Sequence, residues 1–293
     1  MANTELSRGE RLDQRVVSML PTLSRSFATK LIDEGRVSVN GAVAQKGGLK
    51  IRQTDTVLID YDPASFTIPD IELPILYEDD ECVVIVKPLG LLTHSKGAFN
   101  PEPSVATWLH GRIQDQVLLD QDKNSLNNRA GIVHRLDRAT SGVMICAKTP
   151  GALAWLQKQF AQRKVKKTYA AVVAGQLDPT EAIIDMPIGR NPKAPATFRV
   201  DVQGKAATTH YNTVVTNETH SLLELKPTTG RTHQLRVHLN YLGHPIVGDV
   251  LYGGELADRL YLHAEILEVT LPVTHVRKIF IAPIPAEFKQ IVS

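Results

Sequence analysis

Five short runs of apolar residues constrain the fold of this chain more than any other feature of its sequence. Each has the length and the apolar character of a buried strand. The runs are CVVIVK from Cys82, GVMICAK from Gly142, YAAVVAG from Tyr169, SLLELKP from Ser221 and IFIAP from Ile279. Two helical candidates, which begin at Ser104 and Gly151, lie between them without a regular alternation. We therefore expect an α+β fold with a mainly antiparallel sheet rather than a doubly wound parallel sheet.

An acidic, proline-containing segment precedes the first of these runs. Residues 61–81 contain Pro63, Pro69, Pro74 and seven acidic residues but no Lys or Arg. We interpret the start of this segment as a linker between two domains, a number that fits the length of 293 residues. The predicted domains are residues 1–70, a small module with its linker, and residues 71–293, a larger domain.

Charge is distributed unevenly between that segment and the rest of the chain. The formal net charge is only +2, but outside residues 61–81 the chain has 33 Lys and Arg against 24 Asp and Glu, a net charge of about +9. Such an excess suits a polyanionic partner, although surplus lysines are also common on ordinary solvated surfaces.

The small module has a pattern of its own. Four apolar residues before Pro21 are spaced as on one face of a helix. They are Leu12, Val16, Met19 and Leu20. Ser24 is the predicted N-cap of a second helix that ends at Gly35. The dipeptide Asn40-Gly41 between alternating residues predicts a two-residue hairpin, because both residues tolerate the positive φ of a type I′ turn. Residues 55–61 are predicted to add a further strand.

Neither the cysteines nor the histidines form a recognisable metal or redox motif. Cys82 and Cys146 lie in apolar runs, where a cysteine usually acts as a small buried hydrophobe. None of the ten histidines falls in a zinc-binding pattern, and the Gly-Gly pairs lack the spacing of a phosphate-binding loop. We therefore expect no metal, no disulfide and no nucleotide cofactor.

The N-terminal residues and the hydropathy of the chain bear on its compartment. The first fifteen residues lack an apolar secretory core and include acidic residues that a transit peptide would avoid. No apolar stretch approaches the length of a membrane span. We expect a reducing, cytoplasmic compartment, no membrane contact and, by default, a monomer.

Residues 131–149 place charged residues between strand-like flanks. Apolar residues on both sides indicate strands, and Ala139 to Gly142 supplies the small and turn-forming residues of a connection. Arg135 and Asp137 are then expected near a strand end at alternate positions, and therefore on the same face. From spacing alone, an ordinary surface ion pair between the two is the preferred interpretation.

The small module resembles the S4 RNA-binding domain. The matching residues are 11–13 and 24–41, which include the Asn-Gly hairpin. The resemblance implies a small S4-like α/β module in which Arg25, Lys30 and Arg36, on or beside the second helix, meet RNA phosphates. Solvation of a helix face is the alternative interpretation for each of these three cations.

The larger domain resembles the RluA family of pseudouridine synthases. The signature is His134-Arg135-Leu136-Asp137 followed by a Thr-Ser-Gly sequence, and two further blocks agree in order and spacing. One block is KKTYAAVVAG with Tyr169, and the other is TGRTHQLRVHLNYLGHPIVGD with Arg231, His233 and Arg236. Lesser matches are residues 86–95 and 259–269. The resemblance implies the pseudouridine synthase fold, with a mainly antiparallel mixed sheet, and an RNA isomerase that needs no cofactor.

The resemblance also assigns roles to individual residues. Asp137 is the implied catalytic carboxylate, acting either as a nucleophile on C1′ or as a base on the C2′ proton. Both roles require an ionised carboxylate, and Arg236 is the implied partner that stabilises its charge. Arg231 is a further implied substrate-binding residue.

The target uridine has to leave the RNA stack, and further residues are implied to compensate for the lost stacking. Tyr169 is implied to pack on the extruded base, while Arg135 and His134 occupy the vacated space. The basic residues Arg163, Lys164, Lys166 and Lys167 precede Tyr169 and suit RNA backbone, or else a solvated helix end.

The RNA target is a further expectation from resemblance. Relatives with an S4 domain commonly act on large-subunit ribosomal RNA, so this target is preferred to transfer RNA. A noncatalytic RNA-binding ribosome-assembly factor is the main alternative function. A metal-assisted or acid/base hydrolase of nucleosides is a second one, although it would need ligand clusters or paired carboxylates that the sequence does not show.

Overall fold

The computed structural model describes residues 9–21, 23–62, 68–94, 102–115, 118, 129 and 131–293. The chain divides into two compact units. The first contains residues 1–71, 94–111 and 116–130, and the second contains residues 72–93, 112–115 and 131–293. The predicted domain boundary near residue 70 stays a prediction. The first unit also contains residues 94–111 and 116–130, which were expected in the larger domain.

Helices α1 and α2 and short strands form the start of the first unit. Ser24 caps α2 as predicted, because its hydroxyl accepts a hydrogen bond from the Phe27 amide. Gly35, with φ of +74°, follows the helix in the left-handed conformation. The elements are α1 (Leu12–Met19), α2 (Arg25–Asp33), β1 (Glu10–Arg11), β2 (Val37–Val39), β3 (Ala42–Val43), β4 (Lys50–Ile51) and β5 (Val57–Ile59).

The predicted hairpin is present between β2 and β3. Asn40 and Gly41 have φ of 51° and 83°, and Val39 pairs with Ala42 directly across the turn. Strand β5 pairs with the other edge of β2, so the three strands form one small sheet. Burial of apolar side chains, each worth about 1.5–3 kcal/mol, stabilises the unit. They include Leu12, Val16, Phe27, Leu31, Ile32, Val37 and Ile51.

A nine-stranded sheet dominates the second unit. Its neighbours are antiparallel except for one parallel pair, β8 with β15, so the mainly antiparallel mixed sheet is confirmed. The strands are β6 (Ile75–Glu78), β7 (Cys82–Lys87), β8 (Ser141–Ala147), β9 (Lys166–Ala174), β10 (Glu181–Asp185), β13 (Thr208–Thr216), β14 (His220–Pro227), β15 (Leu262–Thr270) and β16 (Arg277–Ile281). The order is β10-β13-β14-β9-β15-β8-β7-β6, and β16 also pairs with β15.

A separate hairpin and several helices complete the described elements. The hairpin joins β11 (Ile188–Arg190) to β12 (Phe198–Val200). The helices are α3 (Val105–His110) in the first unit, and α4 (Pro150–Ala161), α5 (Gln234–Tyr241) and α6 (Ala286–Ile291) in the second. A 3₁₀ turn spans Val250–Tyr252. Ser104 and Thr149 cap the two helices that the sequence predicted, α3 and α4.

All five apolar runs form strands, but several further strands were not predicted from the sequence. Strands β10 and β13 lie at one end of the sheet, and their exposed residues are mostly polar, so they lack the apolar character of a buried strand. Residues 131–133, by contrast, were expected to form a strand and do not. They contribute only an isolated bridge between Ile132 and Cys146, on the edge of β8 that β7 does not occupy.

Gly142 allows the parallel pair to form beside the segment that carries Asp137. Its φ is +123°, and a Cβ at this position would lie 2.2 Å from the Ala264 carbonyl oxygen. No larger residue fits this approach of β8 to β15 without a backbone shift. The glycine of the Thr-Ser-Gly sequence is therefore explained by sheet packing just after the predicted catalytic residue.

Candidate active site

A cavity of about 470 Å³ opens on the second unit. Its walls come from the segment before β8, the end of α4, strand β9 and the loop between β14 and α5. All six residues that were predicted to bind substrate or to react line it, and they are His134, Arg135, Asp137, Tyr169, Arg231 and Arg236. The structure therefore brings together residues that lie up to 102 positions apart in the sequence.

The loop that carries Asp137 is fastened on both sides by the segment after β7. The Thr93 hydroxyl donates to the Leu136 carbonyl at 2.7 Å, and the Gly90 amide donates to the Arg138 carbonyl at 2.9 Å. The buried Lys87 ammonium donates to the Pro88 and Leu91 carbonyls at 2.9 Å and to Arg138 at 3.4 Å. Burial lowers the pKa of Lys87 to about 8. These bonds fix the backbone of the loop.

The Asp137 carboxylate faces two nitrogen groups. Its Oδ2 lies 3.7 Å from the Arg236 guanidinium and 3.8 Å from His233 Nε2. Arg236 is 9% exposed and is held by Asp249, which accepts from its Nε at 2.7 Å and from a terminal nitrogen at 2.6 Å. Burial opposes the charge of Arg236, but the bonds to Asp249 and the two carboxylate charges raise its pKa. Asp249 thus fixes a cation against Asp137.

His233 occupies a constrained position at the start of α5. Its φ of 56° is left-handed, a conformation that costs a side-chain-bearing residue about 1 kcal/mol or more. Its Nδ1 lies 2.7 Å from the Tyr252 hydroxyl, which already accepts from the Phe198 amide at 2.9 Å. Because a buried phenol needs an acceptor for its own proton, Tyr252 donates to Nδ1. The remaining ring proton is then on Nε2, which faces Asp137.

The electrostatics support this assignment of the His233 tautomer. Burial lowers the pKa of His233, against the opposing effect of the Asp137 charge, so the ring is neutral near pH 7. The Arg236 guanidinium lies 4.9 Å above the Tyr252 ring, which keeps the phenol beneath the cation. Asp137 therefore meets one charged and one neutral N–H donor group.

Strand β9 presents Lys167 and Tyr169 to the cavity. The two residues alternate along the strand, so both side chains leave the same face of the sheet. Burial raises the pKa of the Tyr169 phenol above its ordinary range, and the Asp137 charge adds to this effect. Burial also lowers the pKa of Lys167, whose ammonium donates to the Thr229 carbonyl at 3.4 Å.

Gln234 shapes the loop that carries Arg231. Its buried amide oxygen accepts from the Arg231 amide at 3.0 Å and from the Thr229 hydroxyl at 2.7 Å. Its amide nitrogen donates to the Thr208 carbonyl and the Thr209 hydroxyl, both at 3.0 Å. The Arg231 side chain donates to the Ala206 carbonyl at 2.9 Å. One side chain thus ties the wall of the cavity to β13.

His134 and Arg135 have different surroundings despite being adjacent. His134 stacks on Phe160 with ring centroids 4.7 Å apart, and its Nε2 accepts from the Ile145 amide at 3.1 Å. Burial lowers the pKa of His134 to about 3, so the ring is neutral. Arg135 is exposed. Within the described residues Arg135 makes no ion pair with Asp137, so the simple surface pair between them is not formed.

The three predicted RNA-binding cations of the first unit each lie beside a carboxylate. Lys30 is 3.8 Å from Glu34, and Arg36 is 3.5 Å from Asp60. Arg25 pairs with Asp13, which is buried. All three side chains reach solvent.

Sequence reasoning missed Asp249, Tyr252 and Lys87. Asp249 and Lys87 each follow an apolar run, and a charge in such a place has to be paired once the run is buried. That signal was available for both. Tyr252 offered none, because its role depends on a fold that brings a loop under α5.

The described part of the chain shows neither a cluster of metal ligands nor a membrane-spanning helix. No group of three or more His, Cys, Asp or Glu residues there is placed to hold a metal ion. Within the same residues, no helix has both the length and the apolar character needed to cross a bilayer.

Comparison with known proteins relates both units to RNA modification. A family model described as RNA pseudouridylate synthase matches residues 81–241, and the S4 domain model matches residues 10–57. Ribosomal large subunit pseudouridine synthase D of Escherichia coli is 35% identical over 99% of this chain and 92% of its own. An uncharacterized RNA pseudouridine synthase of Synechocystis is 36% identical over 97% of this chain and 88% of its own.

Solved structures agree in fold. Human RNA pseudouridylate synthase domain containing 1 has a TM-score of 0.58 and 27% identity, over 76% of this chain and 86% of that one. Human RNA pseudouridylate synthase domain containing 4 has a TM-score of 0.56 and 26% identity, over 74% of this chain and 90% of that one. The chain therefore belongs to the RluA family of RNA pseudouridine synthases and carries an S4 domain at its N-terminal end.

Proposed function

We propose that the protein isomerises specific uridines of large-subunit ribosomal RNA to pseudouridine, with Asp137 as the catalytic carboxylate. The assignment of Asp137 rests on one observation. Its carboxylate lies beside the Arg236 guanidinium, which Asp249 holds in place. The name of the Escherichia coli relative supports the target.

The reaction requires a carboxylate beside the ribose. The N1–C1′ bond of uridine breaks, the base turns, and C5 bonds to C1′. The proton lost from C5 is balanced by one gained at N1. Asp137 either attacks C1′ or removes the C2′ proton, and both roles use its ionised form.

Arg236 and His233 orient the carboxylate. Their nitrogens lie 3.7 and 3.8 Å from Oδ2, and in this proposal Oδ1 is the oxygen that faces the sugar. Because Arg236 is already fixed by Asp249, little reorganisation is needed during the reaction. In this assignment neither residue exchanges a proton with the substrate.

The cavity walls receive the extruded nucleotide. The Tyr169 ring packs on the base, and its raised pKa keeps the phenol protonated. Arg231, with Lys167 and Arg163 nearby in the cavity wall, supplies positive charge for the flanking phosphates. Arg135, exposed beside Asp137, fills the space left in the RNA stack. His134 was expected to share that space, but it stacks on Phe160 and accepts from the Ile145 amide, so we assign it to support of the loop instead.

The first unit contributes RNA affinity. We assign residues 1–70 to the S4-like module with its linker and residues 71–293 to the catalytic domain, an assignment that the match of the synthase model to residues 81–241 supports. Arg25, Lys30 and Arg36 contact RNA phosphates in this proposal. The enzyme acts in the cytoplasm as a monomer and without a cofactor.

A noncatalytic assembly factor is the second candidate function, and one experiment separates the two. The purified full-length chain is incubated with unmodified large-subunit ribosomal RNA and, separately, with transfer RNA, and pseudouridine is then mapped chemically. We expect new sites in the ribosomal RNA only. Sites in transfer RNA alone would overturn the target, and RNA binding without any new site would favour the assembly factor.

A further inference from the structure

Asp13 is a buried carboxylate that serves two arginines of the first unit. Its side chain is 4% exposed. Arg11 donates to both of its oxygens, at 3.0 and 2.9 Å. Arg25 donates from Nε at 3.0 Å and lies within 2.9 Å through a terminal nitrogen. The bonds from Arg11, followed by those from Arg25, lower the pKa of Asp13. One carboxylate thus fixes two guanidiniums.

The two guanidiniums keep donors that Asp13 does not use. The Arg11 and Arg25 side chains are 40% and 53% exposed. Each guanidinium has five N–H groups, so part of each fork is left facing solvent. Gly48 makes room for Arg11, because a Cβ at this position would lie 3.3 Å from its NH1.

Lys50 adds a third positive charge to this face. It pairs with Arg11 across β1 and β4, so the two side chains leave the same face of the strand pair. Like charges directly opposite each other destabilise a strand pair. Lys50 forms no ion pair with any carboxylate of the described residues. Arg11 and Arg25 therefore share one buried anion, Lys50 adds a charge beside them, and the resulting surplus of two positive charges favours the binding of an external anion.

We propose that Arg11, Arg25 and Lys50 form a phosphate clamp for the RNA backbone and that Asp13 is its positioning residue. A phosphodiester presents two acceptor oxygens, which match forked guanidinium donors held in fixed orientation. Because Asp13 holds the arginines in place, less side-chain freedom is lost when the phosphate binds. The clamp rests on the proposed function, since it assumes an RNA substrate.

The pair formed by Arg36 and Asp60 lacks this architecture and provides a matched control. Asp60 is 82% exposed and lies 3.5 Å from Arg36. It is a surface partner that solvent competes for, so it orients its arginine weakly. Removing the Asp60 charge tests the effect of net charge without removing an orienting group.

The experiment measures RNA affinity at several salt concentrations. The full-length chain carries Asp137→Asn so that no turnover occurs, and the probe is an unmodified transcript of large-subunit ribosomal RNA. We expect Arg11→Met and Arg25→Met each to weaken binding about tenfold and to reduce the slope of log K against log salt by about 1. Lys50→Met is expected to reduce the slope by a similar amount.

The sharper test is Asp13→Asn. On net charge alone, removing a carboxylate strengthens RNA binding, and we expect Asp60→Asn to leave binding unchanged or slightly tighter. Asp13→Asn is expected to weaken binding threefold or more despite the added positive charge, because the two guanidiniums lose their common anchor. Binding as tight as that of the parent chain, or tighter, would overturn the positioning role.

Two outcomes separate the clamp from folding and from the proposed function. If Asp13→Asn loses the circular dichroism of the folded chain, the three exposed cation variants decide, and unchanged salt slopes in all of them refute the clamp. Pseudouridine formation by the chain with Asp137 intact is measured alongside. Its absence counts against the proposed function, whereas its presence with unchanged slopes counts against the clamp alone.

Discussion

Two clusters of carboxylates and guanidiniums have opposite arrangements in the two units. In the first unit one buried carboxylate, Asp13, holds two arginines that reach solvent. In the second unit one buried arginine, Arg236, lies between Asp249 at 2.6 Å and Asp137 at 3.7 Å. The first cluster has a surplus of positive charge, and the second has a surplus of negative charge.

In each cluster, the charge that is in surplus is the one that can bind a ligand or react. A buried ion pair contributes little net stability, because desolvation offsets the attraction. Its contribution here is geometric, since Asp13 and Asp249 fix the guanidiniums that their neighbours require. The exposed arginines are then free to bind an anion, and Asp137 is free to react. We call Asp13 and Asp249 the anchors of their clusters. The comparison predicts that removing an anchor and removing a surplus charge have different consequences.

The largest expected effect follows from removing the surplus charge in the second unit. Asp137→Asn is nearly isosteric and eliminates the reacting carboxylate, so single-turnover pseudouridine formation is expected to fall about 10³-fold or more. RNA affinity is expected to stay within about threefold of the parent value, because phosphate contacts dominate affinity. Turnover well above background in this variant would remove Asp137 from its assigned role.

Removing the anchor of the second unit is expected to have the next largest effect. Asp249→Asn leaves the 9% exposed Arg236 without its bidentate partner. Breaking a buried pair in this way costs about 3–5 kcal/mol of unfolding free energy. The single-turnover rate is also expected to fall, because Arg236 no longer holds a fixed place beside Asp137.

Urea unfolding of Asp249→Asn beside Asp13→Asn sharpens the comparison. The arginines released in Asp13→Asn reach solvent and rehydrate, so this variant is expected to lose less stability. Equal losses of unfolding free energy in the two variants would show that the burial of Arg236 adds no cost to the removal of its partner.

Some residues of these clusters could be identified from the sequence and others could not. Signature residues such as Asp137 and Arg236 were identified through family resemblance, and the strands that bring them together were identified through apolar runs. Asp249 and Tyr252 were not identified, because their partners are set by tertiary packing rather than by local pattern. The helix α5 was also missed, since apolar and polar residues alternate along QLRVHLNY, which is the pattern of a strand, and the helix begins after a left-handed His233. Spacing alone favoured an Arg135–Asp137 pair that the fold does not form.

A smaller effect is expected from the hydroxyl that fixes the His233 tautomer. Tyr252→Phe keeps the ring beneath Arg236 but removes the group that donates to His233 Nδ1. A lost hydrogen bond of about 1 kcal/mol corresponds to a rate reduced about fivefold. Tyr211→Phe is the matched control, because its buried hydroxyl donates to the Pro179 carbonyl and does not line the cavity. Equal rates in the two variants would show that the tautomer of His233 has no effect on catalysis.

The smallest expected effect distinguishes the two units by their response to acid. His134 is neutral in the folded chain, with a pKa of about 3, whereas its ordinary value is 6.5. Between these values the unfolded chain binds a proton that the folded chain does not, so the unfolding free energy decreases as the pH falls below about 6.5. The Asp13 cluster behaves differently, because a carboxyl with a lowered pKa loses its contribution only as the pH falls below its ordinary value of 3.8. Acidification from pH 7 to 5 is therefore expected to lower the amide protection factors of β8, whose Ile145 amide donates to His134, before it affects those of α1. His134→Gln, which keeps an acceptor for the Ile145 amide, is expected to reduce that acid sensitivity by at most about 1.4 kcal/mol per pH unit. An unchanged pH dependence of the β8 protection factors in this variant would mean that His134 is not the group that titrates.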